Sequence, residues 1–114
     1  MQKTASGLLY LPLQEGSGES PHDSDKVVVN YRGSLPSGLL FDAGSLFTAN
    51  LKQTDPDRVI AGWTEGLQLM KPGSKYRFYI PSPLAYGASG KGGIGPNAAL
   101  VFDVELVRVA QLQP

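Results

Sequence analysis

Apolar and polar residues alternate with a period of two along three stretches of this chain. In Lys26 to Leu35, Val27, Val29 and Tyr31 share one face while Asn30 and Arg32 point the other way. Ser74 to Ile80 repeats the pattern, with Tyr76, Phe78 and Ile80 on one face. Ala99 to Val109 is the longest predicted strand, with Leu100, Phe102, Val104 and Leu106 inward against Asp103 and Glu105 outward. A shorter apolar run, Leu8 to Leu13, closes at Gly16-Ser17-Gly18 and reads as a first strand and turn. Pro36-Ser37-Gly38 is a turn after which Leu39 to Asp42 resumes as a hairpin partner. The period changes only once. Trp63, Leu67 and Met70 fall at i, i+4 and i+7, which predicts a helix near Trp63 to Met70, led in by Val59 to Gly62 and stopped by Lys71-Pro72-Gly73. Gly18 to Asp25 is polar and irregular. Gly44 to Arg58 has no firm periodicity and reads as a long loop with a short edge strand near Ala49 to Leu51, and Pro81 to Asn97 reads as a second loop. The sum is an α+β domain, an antiparallel sheet with one short helix against its apolar face.

With 114 residues, a single domain over 1–114 is expected, with 1–7 as a lead-in. A chain of this size buries roughly two-thirds of its unfolded surface and needs no covalent or metal staple. Without cysteine, thiol catalysis, CxxC redox chemistry and cysteine zinc sites are excluded, and a single histidine makes any zinc site improbable. Ten Lys+Arg balance ten Asp+Glu with no basic stripe, so a nucleic-acid partner has little support. No apolar run approaches the roughly 18–20 residues of a membrane-spanning helix.

Covalent chemistry is poorly supplied. His22 lies in a polar turn, Ser20-Pro21-His22-Asp23-Ser24, with no nucleophile motif around it. Gly90-Lys91-Gly92-Gly93-Ile94-Gly95 matches the dinucleotide pattern GxGxxG, but Pro96-Asn97 and a strand follow where a helix N-terminus is required. The acidic turns Asp55-Pro56-Asp57 and Asp23-Ser24-Asp25 lack a calcium-binding loop. What remains is aromatic placement: Tyr31, Phe41, Trp63, Tyr86 and Phe102 come from separate elements. Aromatics on inward faces are usually core. Two of these positions depart from that pattern. Tyr86 sits in the long Pro/Gly loop, and Asp42 directly follows Phe41 at the end of an apolar strand, where an unpaired carboxylate would be costly if buried. Aromatic walls with a few polar tips suit a small pocket for an apolar group.

Six ordered blocks carry a family resemblance. They are Val27-Val28-Val29-Asn30-Tyr31-Arg32-Gly33; Gly38-Leu39-Leu40-Phe41-Asp42; Val59-Ile60-Ala61-Gly62-Trp63-Thr64-Glu65-Gly66-Leu67; Met70-Lys71-Pro72-Gly73; Ile80-Pro81-Ser82 with Leu84-Ala85-Tyr86-Gly87; and Leu100-Val101-Phe102-Asp103-Val104-Glu105-Leu106. In this order and spacing the chain resembles the FKBP-type peptidyl-prolyl cis/trans isomerases. Gly62 to Met70 and the lead-in Thr4-Ala5-Ser6-Gly7-Leu8 are similar to the bacterial macrophage-infectivity-potentiator branch.

The resemblance implies a strongly twisted sheet wrapped around the helix. It also implies a pocket floored by Trp63 and walled by Tyr31, Phe41, Val59, Ile60 and Phe102, with Asp42 and Tyr86 as polar contributors and Ile94 reaching in from the glycine loop. Tyr31, Asp42, Tyr86 and Phe102 would act on the bond, and the others would hold the substrate. The aromatic that relatives often carry between Gly44 and Arg58 is expected to be replaced by Ala49, with Phe47 the second choice. Lys91 stands where some relatives have histidine. The implied activity is isomerisation of X-Pro bonds in proline-containing polypeptides, with no cofactor and no metal, and with macrolides as pocket-filling inhibitors. The alternative is a chaperone or partner-binding module with weak catalysis. A monomer is expected. A periplasmic or envelope location follows from the resemblance, and a cytoplasmic one if Met1 is the native start.

Overall fold

The computed structural model describes residues 1–92 and 94–110. Its strands are β1 (Gln2–Lys3), β2 (Leu9–Gln14), β3 (Lys26–Ser34), β4 (Leu40–Asn50), β5 (Lys75–Ile80) and β6 (Leu100–Val109). The helix α1 (Ala61–Leu67) lies between β4 and β5. All neighbours pair antiparallel in the order β1-β2-β5-β6-β3-β4, so the last of the described strands sits at the centre, between β5 and β3.

Alternation explains the three strands that surround the core. Leu100, Phe102, Val104 and Leu106 of β6 are all buried, as are Tyr76, Phe78 and Ile80 of β5 and Val27 and Val29 of β3. On the opposite face Arg77 and Asp103 are cross-strand partners, joined by two hydrogen bonds of 2.7 and 3.1 Å. The helix covers the inner face with Trp63 and Leu67, and Met70 follows just beyond its end. It starts earlier than its apolar spacing predicts: the Ile60 carbonyl accepts from the N–H groups of Trp63 and Thr64, which draws Ala61 and Gly62 into the first turn. Gly66 sets the helix close to the sheet, since a Cβ there would stand 2.7 Å from the Phe78 ring.

The segment read as a loop over 44–58 departs most from expectation. Leu40–Asn50 is one continuous edge strand. Val29 pairs with Phe47 and Tyr31 with Gly44, so Asn30 alone faces both Ser45 and Leu46. This bulge explains why no period was visible: an inserted residue shifts the alternation by one halfway along the strand. Leu46 takes a left-handed backbone (φ 51°), and Asn30 Oδ1 accepts its N–H at 2.7 Å. The lead-in also contributes a strand. Gly7 (φ 98°) reverses the chain, and Gln2 and Lys3 pair with Tyr10 and Leu9.

Candidate functional site

Trp63 projects from the first turn of α1 and is 4% exposed. Around it stand Tyr31 from β3, Phe102 from β6 and Phe47 from β4, at centroid distances of 5.0, 5.3 and 6.5 Å, each close to perpendicular to the indole. Edge-to-face contacts of this kind direct the positive ring edges at the negative faces and are worth about 0.5–1.5 kcal/mol each beyond their area. The rings thus hold one another in place. Between them opens a depression of about 210 Å³, whose rim is completed by Asp42, Asp57, Arg58, Val59, Ile60, Tyr86 and Lys91.

Seven of the nine implied site residues line this depression: Tyr31, Asp42, Val59, Ile60, Trp63, Tyr86 and Phe102. The other two do not. Phe41 packs edge-to-face against Phe102 at 5.6 Å, so it supports a wall from behind. Ile94 is buried in the core under the glycine loop, and the loop presents Lys91 at the mouth instead. Paired backbone hydrogen bonds between Lys91 and Ile94, at 2.9 and 2.8 Å, hold that arrangement. Gly93 of the GxGxxG match lies outside the described residues. After Ile94 the chain turns at Pro96 and Asn97 into β6, so no helix follows the motif.

Four lining residues were not in the implied set: Phe47, Asp57, Arg58 and Lys91. Phe47 corrects the expectation of Ala49, which is wholly buried opposite Val27. The bulge places Phe47 beside Tyr31, ring to ring at 5.6 Å. Gly44 is part of the same fit: it pairs with Tyr31, and a Cβ there would collide with the Tyr31 ring.

The polar groups are arranged unequally. The Tyr31 hydroxyl donates to Asp42 Oδ2 at 2.9 Å, and the Ala43 N–H donates to Oδ1 at 2.9 Å, so both carboxylate oxygens are engaged. Burial, followed by this hydrogen bond and by the charge of Asp42, pushes the Tyr31 hydroxyl up to about 12. Burial also raises Tyr86, with the Asp42 charge second. Both phenols therefore stay protonated across neutral pH. Among the described residues, the Tyr86 hydroxyl meets no partner.

The segment before the helix supplies a second free donor. The Val59 N–H donates to the Asn50 carbonyl at 3.0 Å, and the Val59 carbonyl accepts from Gln53 Nε2 at 2.8 Å. Gln53 also reaches Thr64 Oγ1, which donates to the Leu51 carbonyl. The next N–H, that of Ile60 at the helix N-cap, has no acceptor among the described residues. One more donor is unmatched: Trp63 Nε1 is buried and has no partner among them. The site is an aromatic box with an engaged carboxylate on one side and two open donors, the Ile60 N–H and the Tyr86 hydroxyl, at its edge. Serine, threonine, histidine and cysteine are all absent from its lining among the described residues. It is equipped to hold an apolar ring and orient carbonyls.

The chain is similar to known proteins over most of its length. The family described as FKBP-type peptidyl-prolyl cis-trans isomerase matches residues 17–107. The FKBP-type peptidyl-prolyl cis-trans isomerase FkpA of Escherichia coli K12 is 48% identical over 109 residues, covering 96% of this chain and 40% of that protein. The peptidyl-prolyl cis-trans isomerase Mip of Coxiella burnetii is 47% identical over 110 residues, covering 92% of this chain and 46% of that one. The chain thus spans less than half the length of these two relatives. A crystal structure of a peptidyl-prolyl cis-trans isomerase from Pseudomonas syringae superposes with a TM-score of 0.88 at 42% identity, covering 96% of this chain and 80% of its own. The matched residues run from the turn after β2 into β6, most of the chain and every lining residue of the aromatic box, and by the extent of this match the chain belongs to the FKBP-type peptidyl-prolyl cis-trans isomerase family.

Proposed function

We propose that this domain accelerates cis/trans isomerisation of X-Pro bonds in polypeptides without forming a covalent bond. The observation that carries the reading is the box on Trp63 with two open hydrogen-bond donors at its edge. A peptide bond resists rotation by about 18–20 kcal/mol because its nitrogen lone pair is delocalised into the carbonyl. Both prolyl isomers are populated and exchange in tens to hundreds of seconds. In the twisted amide conjugation is lost and charge separation across C–N falls. A water-poor aromatic box suits that species better than water does, because water solvates the planar amide more strongly.

In this reading the proline ring sits on Trp63 between Tyr31 and Phe102, with Phe41 bracing Phe102. The Ile60 N–H and the Tyr86 hydroxyl hold substrate carbonyls on either side of the rotating bond. Asp42 keeps the Tyr31 ring oriented and Val59 closes the apolar side. Ile94 supports the loop that carries Lys91. An acceleration of a thousand- to a millionfold asks for about 4–8 kcal/mol of preferential stabilisation. Desolvation and two oriented hydrogen bonds are of that order. A macrolide that presents a proline-like ring would occupy the same box. The domain acts as a monomer, and its resemblance to the bacterial macrophage-infectivity-potentiator branch, with relatives named from bacteria, is the ground for placing it in a bacterial cell envelope.

The test is cis-to-trans conversion of a short X-Pro-Phe peptide, with and without an excess of a pocket-filling macrolide. Fast conversion abolished by the macrolide is expected. No acceleration with the macrolide still bound would replace catalysis by client holding, and neither activity nor binding would leave the box without this role.

A further inference from the structure

Beyond the aromatic box, the segment between β4 and α1 builds a second depression. Gln53, Pro56, Ala61 and Ala85 line it, and it shares Arg58, Val59, Ile60 and Tyr86 with the first, so the two adjoin and are taken together as one groove. The segment is framed from beneath. Asn50 is 5% exposed, and its Nδ2 donates to Asp55 Oδ2 at 3.0 Å and to Asp57 Oδ1 at 2.8 Å, while its Oδ1 accepts the Lys52 N–H at 3.1 Å. Both acidic side chains of the segment therefore have an oxygen committed to the frame. Asp42, the other carboxylate of the groove, has both oxygens engaged by Tyr31 and Ala43.

The cations are held differently. Arg58 Nη1 reaches only the Asp55 carbonyl, at 3.2 Å, and Lys91 Nζ stands 5.3 Å over the Tyr86 ring. Among the described residues, neither has a carboxylate within ion-pairing distance. Arg58 lies where the two depressions join, and Lys91 lies at the mouth of the first. Both belong to the rim that a chain whose proline is seated on Trp63 has to cross.

We propose that Arg58 and Lys91 are specificity-determining residues that favour prolines flanked on one side by an acidic side chain. This rests on the isomerase reading above and adds a substrate class to it. A glutamate or aspartate leaving the box along the groove supplies the carboxylate that both cations lack. The commitment of Asp42, Asp55 and Asp57 to hydrogen bonds within the protein leaves those two cations open to the substrate. A lysine in the same place meets two like charges.

The test compares peptides that differ only in the residues flanking proline, with Glu, Gln or Lys at the two positions on each side. Two exposed ion pairs predict a kcat/KM for the Glu peptide about three- to tenfold above that of the Gln peptide at one side only, with the Lys peptide below both. The ratio of Glu to Gln should fall towards one in Arg58→Gln and Lys91→Gln, and also in the unaltered protein near 1 M salt, where screening acts within about 3 Å. The salt series needs no variant, and Lys91 sits in a different loop from Arg58, so loss of folding in one variant leaves two readouts. Equal rates for Glu and Gln peptides overturn this inference and leave the isomerase reading standing, as does a preference that survives both substitutions and high salt. Conversion of none of the peptides overturns both.

Discussion

The Tyr31 hydroxyl donates to Asp42 Oδ2 at 2.9 Å across the β3–β4 pair. Tyr31 does not face Asp42 in the ladder; it faces Gly44, and Asp42 faces Gly33. The bond is therefore diagonal. It can form because the residue opposite the Tyr31 ring has no side chain. The bond fixes the ring that stands over Trp63 and satisfies a carboxylate at the edge of an apolar box.

Asp42→Val should lower kcat/KM about 10- to 100-fold, the loss expected when a charge-assisted bond of roughly 1.5–3 kcal/mol is removed and the half-buried Tyr31 ring loses its anchor. Tyr31→Phe should lose less, since Asp42 is near solvent and keeps the Ala43 N–H. Full activity in Asp42→Val, measured on an X-Pro-Phe peptide, would remove Asp42 from the catalytic site.

Stability should fall at high pH because of Tyr31. Its folded-state value, about 12, exceeds the ordinary tyrosine value near 10, so the folded protein holds this proton more tightly than the unfolded chain does. The contribution is present in full below pH 10 or so and is lost as pH rises through about 12. Denaturant unfolding between those limits should show a steeper decline for the unaltered protein than for Tyr31→Phe. Absorbance titration of that variant should lack the latest-ionising phenol.

Trp63→Phe should cost little stability for so large a change in a buried ring. The substitution gives up apolar area and leaves a gap, but it also removes the unmatched indole N–H, whose burial costs about 1–3 kcal/mol. The two terms oppose each other, and a net change within about 1 kcal/mol is expected. Circular dichroism must follow the unfolding, because Trp63 is the only tryptophan. A loss of several kcal/mol would mean that packing against Tyr31 and Phe102 far outweighs the orphan donor.

Leu46→Gly should stabilise the fold by about 0.5–1 kcal/mol. Leu46 holds a left-handed backbone at φ 51° while 62% exposed, so glycine relieves the conformational cost and gives up little burial. A rise in the urea midpoint with an unchanged slope is the expected result. A fall would show that the Leu46 side chain contributes more than its exposure suggests.

Much of this protein was legible in its amino-acid order because alternation and helical spacing are local signals. Leu100 to Leu106 and Tyr76 to Ile80 carry a clear period of two, Val27, Val29 and Tyr31 follow it around a buried Val28, and those stretches form the strands around the core. Trp63, Leu67 and Met70 mark the inner face of the helical segment, although the hydrogen bonds to Ile60 moved its start forward. The ordered blocks from Tyr31 to Phe102 were enough to indicate the family and seven of the pocket's lining residues. The tertiary structure alone decided the rest. A bulge opposite Asn30 turned an apparent loop into a strand and placed Phe47, not Ala49, beside Trp63. Pairing of Lys91 with Ile94 put a cation at the mouth and an apolar side chain in the core. The hydrogen bonds of Asn50 set Arg58 where two depressions meet. Periodicity records which face a residue takes along its own strand. A bulge, a loop crossing and a buried amide depend on what lies opposite, which the chain meets only once it has folded.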